Sequence, residues 1–234
     1  MARRRVSEED LLDFRAQAET LAREVEVKYE EMDRKKLAEP EPVRDTGLLI
    51  LSDEDEAGLR RFARRMEAGG FAVERADILG YVPIDRFDRT PGWQRRLTQA
   101  QIAYTDLRKR ARRVAVLGYG QSVPLAALIA EEYPVEALIA VGGFSGDAGG
   151  EAKRAPGRVR RIAKNNLFSI VCPVLTVLAG DMSPRAAASA KLFASRTRAK
   201  DVSCLEMRGA KMSKLFTENE NELAEAVFEF LAEG

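Results

Sequence analysis

The sequence predicts an α/β protein with a mostly parallel sheet of about six strands and helices on both faces. Two observations lead to this fold class. From Gly47 onward, short apolar runs alternate with helical patterns, and 45% of the 234 residues are hydrophobic, which is enough for a full core. Strands that alternate with helices imply right-handed crossover connections, and such connections place neighbouring strands parallel.

Residues 1–42 are expected to form a separate unit, an amphipathic helix followed by a proline-containing linker. Ser7 and Asp10 make a capping box for a helix that begins directly after the serine. The helix is expected to dock onto protein. This protein is either its own domain, residues 43–234, or a partner chain, and a second copy of the same chain counts as such a partner. A free coiled coil is the alternative, since the apolar positions follow an a/d pattern. These positions are Leu11, Phe14, Ala18, Leu21, Val25 and Met32.

The domain of residues 43–234 is expected to contain six strands and six helices. The strands are predicted at 47–52, 71–77, 114–118, 135–142, 173–180 and 201–208. The helices are predicted near 56–68, 91–111, 123–132, 157–166, 184–196 and 218–232. The basic residues Arg108–Arg110 and Arg112–Arg113 are interpreted as the solvated end of a helix and its turn.

A strand, a tight turn and a helix are predicted where Arg113-Val-Ala-Val-Leu-Gly-Tyr-Gly-Gln-Ser122 leads into an apolar segment. A turn of this kind is where Gly-x-Ser-x-Gly sequences hold a nucleophilic serine. The whole chain, however, contains no histidine. A serine hydroxyl is a weak nucleophile until an adjacent base takes its proton, and that base is most often histidine.

The order of these motifs resembles the α/β-hydrolase superfamily, and within it the bacterial carboxylesterase and monoacylglycerol-lipase-like branch. The resemblance covers about residues 46 to 232. It rests on the apolar strand Leu48–Leu51, on Trp93 in the helix before the turn, on the turn itself, and on three later motifs. These are Glu132-Tyr-Pro-Val-Glu-Ala-Leu-Ile139, Cys172-Pro-Val-Leu175 followed by Gly180, and Leu205-Glu-Met-Arg-Gly209.

The resemblance implies that the catalytic triad is missing. The family's serine lies fourteen residues before the proline that follows the helix, and counting back from Pro134 gives Gly120. Glycine accepts the strained backbone of such a turn without a steric cost. The family's histidine position is Ala210, and the carboxylate nearest to its acid position is Asp181. Without histidine, Asp181 is interpreted as a loop-capping aspartate.

Ser122 is the fallback nucleophile, because Gly120-Gln-Ser122 formally matches part of the motif. Its use would shift the turn by two residues and misplace the following helix. Ser122 is therefore interpreted as the N-cap of that helix, with Pro124 in the first turn. The preferred function is non-catalytic, as a scaffold, a partner-binding protein or a small-ligand-binding protein. The alternative is a carboxylic ester hydrolase that uses Ser122.

A small anionic ligand is a further hypothesis, because the helix after the turn presents its N-terminal amides near its start. The family's lid is reduced here to a short connection between 143 and 173 that is rich in glycine and then in arginine and lysine. A solvated basic helix, or one paired with the acids of residues 53–55, is the preferred interpretation of this connection. The acids themselves are interpreted as helix capping, poorly suited to an oxyanion hole. The candidate ligand-binding residues are Ser52, Asp53, Tyr119, Gln121, Ser122, Arg158 and Arg161.

Composition argues against several other classes of function. Charged residues make up 32% of the chain but nearly cancel, to a net charge of +1. Neither nucleic acid nor a membrane is therefore an expected partner. Cys172 and Cys204 are expected to be buried thiols, with no metal site and no cofactor. With no signal peptide recognised, the protein is expected to be cytoplasmic.

Overall fold

The computed structural model describes residues 44–52, 57–77, 92–142 and 169–233. The side chains of Gly92, Trp93, Gln121 and Glu233 lie outside this description. Several predictions also fall outside it. These are the N-terminal helix and linker of residues 1–42, the acidic residues 53–55, the reduced lid and the helix near 157–166, which includes Arg158 and Arg161.

The described residues form a six-stranded sheet whose pairings are all parallel, in the order β2-β1-β3-β4-β5-β6. The strands are β1 (Arg44–Ser52), β2 (Ala72–Asp77), β3 (Ala111–Tyr119), β4 (Leu138–Val141), β5 (Val174–Ala179) and β6 (Val202–Met207). The helices are α1 (Ala57–Ala68), α2 (Gly92–Arg110), α3 (Val123–Glu132), α4 (Pro184–Ser195) and α5 (Glu220–Glu233). The predicted fold class is confirmed.

The helices cover both faces of the sheet, because strand side chains alternate between the faces. In β1, Leu49 and Leu51 pack with α2, α3 and α4, while Leu48 and Ile50 pack with α1 and α5. The central strands are consequently apolar along nearly their whole length, as expected for a parallel sheet buried on both sides. All six residues of β5 are buried in this way.

Two predicted boundaries were wrong for an identifiable reason. Arg112 and Arg113 were interpreted as a turn, but they belong to β3, where Arg113 pairs in register with Thr46. Arg112 lies 3.7 Å from Asp45, and Arg113 donates to Glu136 at 2.8 Å. The charged end of β3 therefore extends the sheet toward solvent, with each guanidinium beside a carboxylate.

The strand predicted at 135–142 is shorter, Leu138–Val141. The residues before it already follow β3, since the backbone nitrogen of Glu136 donates to the carbonyl oxygen of Val114 at 2.8 Å. The paired ladder begins only at Leu138, where the chain meets both β3 and β5.

The two cysteines differ, contrary to the prediction that both are buried. Cys172 is buried, but Cys204 is exposed. The reason is topological, because β6 is an edge strand and its first residues are covered on neither face.

Candidate functional site

The candidate site lies at the carboxyl end of β3, where the chain turns directly into α3. Gly120 has a φ of 57°, in the left-handed region that glycine occupies without steric cost. Residues Gly120–Ser122 form a single 3-10 turn, and α3 begins at Val123. The sharp turn expected from the sequence is therefore present, with glycine at its strained position.

Gly118 allows the helix to pack closely on the strand. A β-carbon at this position would lie 2.8 Å from the β-carbon of Ala126 and 2.8 Å from the α-carbon of Val123. Both distances are shorter than van der Waals contact, and the second involves backbone that cannot move aside easily. The two glycines thus have different roles, one in helix–strand packing and one in backbone conformation.

Ser122 occupies the N-cap position of α3, with Pro124 in the first turn, as predicted. Its side chain makes no capping hydrogen bond, contrary to the prediction. The physical reason is that Ser122 already has helical backbone angles (φ −86°, ψ −7°) from the preceding 3-10 turn, whereas a capping residue has extended ones. The side chain is only 2% exposed.

Tyr119 lies in the core rather than facing solvent. Its ring packs edge-on against Phe216, with ring centroids 4.9 Å apart, and its hydroxyl donates to the carbonyl oxygen of Met212 at 3.1 Å. Ser52, at the carboxyl end of the neighbouring β1, is also buried. The other predicted ligand-binding residues, Asp53, Arg158, Arg161 and the side chain of Gln121, lie outside the described residues.

Two loops meet beside this turn, one after β5 and one after β6. The backbone nitrogen of Gly180 donates to the carbonyl oxygens of Met207 at 3.1 Å and Ala210 at 2.9 Å. A β-carbon on Gly180 would lie 2.7 Å from the nitrogen of Gly209, so only glycine allows this approach. The junction therefore joins the two loops on which Asp181 and Ala210 were predicted as triad positions.

Asp181 and Met212 connect the same two loops through a side chain. A carboxylate oxygen of Asp181 accepts a hydrogen bond from the backbone nitrogen of Met212 at 2.8 Å. The geometry matches the loop-capping interpretation of this aspartate. Ala210, which the resemblance places at the histidine position, is buried, with 3% of its surface exposed.

The side chain of Met212 lies beside the turn and was missed by sequence reasoning. A β-carbon on Gly142, at the end of β4, would lie 2.7 Å from the sulfur of Met212 and 3.8 Å from the nitrogen of Gly120. The thioether therefore fills space next to Gly142, close to the strained glycine. A methionine between Lys211 and Ser213 gives no sequence signal of this role, because its contact with Gly142 is made across the sheet.

A cleft of about 360 Å³ lies elsewhere, at the β2 edge of the sheet. It is lined by residues of α1 and β2, namely Arg60, Ala63, Arg64, Glu67, Val73, Glu74 and Arg75. Within the described ranges, no cluster of acidic, cysteine or histidine side chains could hold a metal ion. None of the helices that the structure describes is long and apolar enough to cross a membrane.

Several solved structures share this architecture over most of their length. One is a metagenome-derived lipolytic enzyme from work on LipS and LipT, with a TM-score of 0.65 and 11% identity over 82% of this chain and 96% of that one. Est1E from Butyrivibrio proteoclasticus has a TM-score of 0.58 and 18% sequence identity, over 83% of this chain and 89% of that one. An esterase of Pyrococcus furiosus has a TM-score of 0.59 and 13% sequence identity, over 82% of this chain and 82% of that one.

Comparison at the level of sequence gives no assignment. No protein-family model matches the chain, and no curated protein matches it. The structural neighbours are esterases and lipases with the same six-stranded parallel sheet. The chain therefore has the α/β-hydrolase fold, as the sequence motifs predicted, while identities this low carry the fold alone.

Proposed function

We propose that this chain is a non-catalytic protein on the α/β-hydrolase fold, which acts by binding rather than by ester hydrolysis. Nucleophilic catalysis by a hydroxyl needs a base within hydrogen-bond reach, and in this fold the base is an imidazole. No histidine occurs anywhere in the sequence. The chain can therefore form the turn of a hydrolase without the proton acceptor that makes the turn reactive.

The observation that carries the proposal is the position of Met212. Its thioether fills the space beside Gly142 and the turn, its carbonyl oxygen accepts from the Tyr119 hydroxyl, and its backbone nitrogen donates to Asp181. A hydrolase needs this region open to an acyl group and an attacking water. Here the Met212 side chain takes up space beside Gly142 and the turn, and two hydrogen bonds fix its backbone.

Asp181 supports the same conclusion from the side of the acid. In a triad, the carboxylate orients an imidazole and stabilises the charge that forms on it. The Asp181 carboxylate instead accepts from a backbone amide and holds two loops together. This bond stabilises the junction, and the sequence holds no imidazole for the carboxylate to orient.

The competing function is a carboxylic ester hydrolase that uses Ser122. Its support is the location of this buried hydroxyl in the turn after β3 and the esterase activity named for structural neighbours. The decisive measurement is hydrolysis of short p-nitrophenyl esters together with labelling by a fluorophosphonate probe, using Ser122→Ala as the matched control. We expect no turnover and no labelling in either protein. Turnover that Ser122→Ala abolishes would replace the proposal with the hydrolase.

Binding partners follow from two segments outside the described residues. The amphipathic pattern of residues 8–37 favours a protein partner, and the basic stretch around Arg158 and Arg161 favours a small anion. A bound ligand raises the melting temperature by mass action. A thermal-shift screen with phosphate-bearing metabolites at millimolar concentration tests the anion; a Kd near 0.1 mM gives about 1.4 kcal/mol at 1 mM. Flat melting curves across the screen would leave the protein partner as the remaining form of the proposal.

A further inference from the structure

The cleft at the β2 edge of the sheet lies between α1 and β2, and charged side chains make up most of its lining. Its volume of about 360 Å³ is in the range of small-molecule sites. Its apolar part is formed by Ala63 and Val73, which are buried members of the core on this face of the sheet. Because β1 lies between β2 and β3, the cleft is separate from the turn after β3.

Three arginines line this cleft, two from the helix and one from the strand. Arg60 and Arg64 are four residues apart in α1, so they are neighbours on one face of the helix. Arg75 follows Val73 by two residues in β2, and side chains two apart in a strand point to the same face. Since Val73 belongs to the core that includes α1, Arg75 is directed to the α1 side as well. Helix and strand thus bring three guanidinium groups to one cleft.

The acids of the cleft do not balance these arginines. The lining includes Glu67 and Glu74, but Glu74 forms an ion pair with Arg110 of α2, which is not part of the lining. Among the described lining residues, Glu67 is then the one acid that remains against three arginines. The lining therefore has a surplus of two positive charges, which favours an anion.

A second row of arginines on α1 shows how the same spacing is neutralised within the chain. Arg61 and Arg65 both approach Glu220 of α5, at 3.7 and 3.0 Å. Like charges four residues apart on a helix repel each other, and the glutamate offsets that repulsion. Arg64, in the row that faces the cleft, has no acidic partner among the residues that the structure describes. An anion in the cleft would do for this row what Glu220 does for the other.

We propose that the cleft binds a small phosphate monoester through Arg60, Arg64 and Arg75. Near neutral pH such an ester is mostly a dianion with three terminal oxygens, which matches two surplus charges and three guanidinium groups. A carboxylate has one charge and two oxygens, so it matches neither. Arg60 and Arg75 take part in other interactions too, and the five N–H donors of a guanidinium allow a second partner. The organic part of the ester would lie on Ala63 and Val73.

Isothermal titration calorimetry of the full chain with phenyl phosphate at pH 7.5 tests this proposal. The probe joins a phosphate dianion to an apolar ring, and we expect a Kd of roughly 0.1–1 mM. Benzoate has the same ring with a single charge, so we expect it to bind at least about tenfold more weakly. No binding of phenyl phosphate at millimolar concentration, or equal binding of benzoate, would overturn the proposal. Neither result depends on whether the protein hydrolyses esters.

Arg64→Gln tests the location of the site. The substitution removes one guanidinium from an exposed position and keeps a good helix former there, so the fold is retained. We expect the Kd for phenyl phosphate to rise about tenfold or more, because a hydrogen bond to a charged group is lost.

Arg65→Gln is the matched control. It removes the same charge from the next residue, whose guanidinium lies beside Glu220 rather than in the cleft. Because salt screens exposed charges that do not touch the ligand, we expect the Kd to change by less than about twofold. Equal weakening by Arg64→Gln and Arg65→Gln would mean that net charge alone attracts the phosphate, and the cleft would then be ruled out.

Two further variants separate the cleft from other basic parts of the chain. Glu67→Gln removes the remaining acid of the lining, so binding of phenyl phosphate should tighten by about two- to fivefold. Binding that stays level or weakens in this variant would contradict an anion beside Glu67. Arg161→Gln changes the basic stretch outside the described residues and should leave the Kd unaltered. A Kd that rises in Arg161→Gln but not in Arg64→Gln would assign the phosphate to that stretch instead of the cleft.

Discussion

At the scale of single residues, the hydroxyl of Thr176 is the clearest unmet polar group in the core. Thr176 lies in the middle of β5 with no exposed surface, and its hydroxyl has no hydrogen-bond partner among the described residues. A buried, unsatisfied polar group costs about 1–3 kcal/mol, and valine has nearly the same shape as threonine. We expect Thr176→Val to raise the free energy of unfolding by about 1 kcal/mol, or the melting temperature by roughly 2–4 °C.

Thr197→Val is the matched control for this substitution. The hydroxyl of Thr197 is part-buried and donates to the carbonyl oxygen of Ala194 at 2.9 Å. Its removal loses a hydrogen bond, so the melting temperature should fall or stay level. Equal shifts in both variants would mean that β-propensity, rather than the unmet hydroxyl, decides the effect of Thr176→Val.

The two cysteines provide a second prediction at this scale. Burial raises the pKa of Cys172 to about 11, so at pH 8 only about one molecule in a thousand carries the reactive thiolate there. Cys204 is exposed at the sheet edge; partial burial of its sulfur raises the pKa of the thiol, and the charge of Lys191 opposes part of that rise. In the native protein we expect Ellman's reagent to titrate one thiol within minutes, and the second only after denaturation. Cys204→Ser should remove the fast reaction, and fast loss of both thiols would contradict the burial of Cys172.

The pKa of Cys172 also sets a sign for stability in alkali. The thiol of the unfolded chain ionises near pH 9.0, whereas burial raises the pKa of the native thiol to about 11. Above pH 9 the unfolded state therefore binds fewer protons than the native state, and stability from this group falls as pH rises from 9 to 11. Cys172→Ala should flatten that part of the melting temperature profile.

At the scale of elements, the contact between α1 and the segment before α5 depends on a glycine. A β-carbon on Gly58 would lie 2.6 Å from the carbonyl carbon of Phe216 and 2.9 Å from a methyl carbon of Thr217. Alanine is about 1 kcal/mol better than glycine in a helix interior. A backbone clash costs more, since overpacking typically costs 1–3 kcal/mol even where side chains can move. Gly58→Ala should therefore lower the unfolding free energy by about 1–2 kcal/mol, measured in urea, while Glu67→Ala on the exposed face of α1 should change it little.

Elements were also where sequence reasoning was most and least reliable. The core of each strand was predictable, because runs such as Leu48–Leu51 and Val174–Ala179 are too apolar for any exposed element. The ends were less predictable, since they depend on partners that periodicity does not reveal. Arg112 and Arg113 extend β3 only because β1 and two carboxylates are beside them.

The candidate site likewise has one part that the sequence predicts and one part that it does not. The strained glycine at 120 could be placed by counting along the chain, because backbone conformation is a local property of a short turn. Met212 could not, because its role depends on contacts with Tyr119, Gly142 and Asp181, which come from three other parts of the sheet. Local signals thus located the turn, and only tertiary contacts revealed that Met212 lies beside it.

At the scale of the whole molecule, the chain has the framework of the α/β-hydrolase fold, and the proposed function is a role on this framework without ester hydrolysis. The framework depends on two cores on either side of the sheet, which include most of the apolar residues of β1, β3, β4 and β5. Catalysis depends on a few side chains from separate loops. The fold can therefore persist after those side chains change, because the cores contribute the stability and the loops contribute little.

Return of a serine at Gly120 should consequently restore no activity. The base would have to come from another loop, and the sequence contains no histidine to supply it. The φ of 57° at this position also costs a non-glycine residue about 1–2 kcal/mol. For Gly120→Ser we expect hydrolysis of p-nitrophenyl acetate to stay at the level of wild type, together with a melting temperature lower by several degrees.

Gly70→Ser is the control for the backbone cost alone. Gly70 is another glycine with a positive φ, 99°, and no atom lies within 4 Å of its would-be β-carbon. Turnover above wild type in Gly120→Ser, but not in Gly70→Ser, would mean that another base reaches the turn, and the assignment of a non-catalytic role would then be wrong.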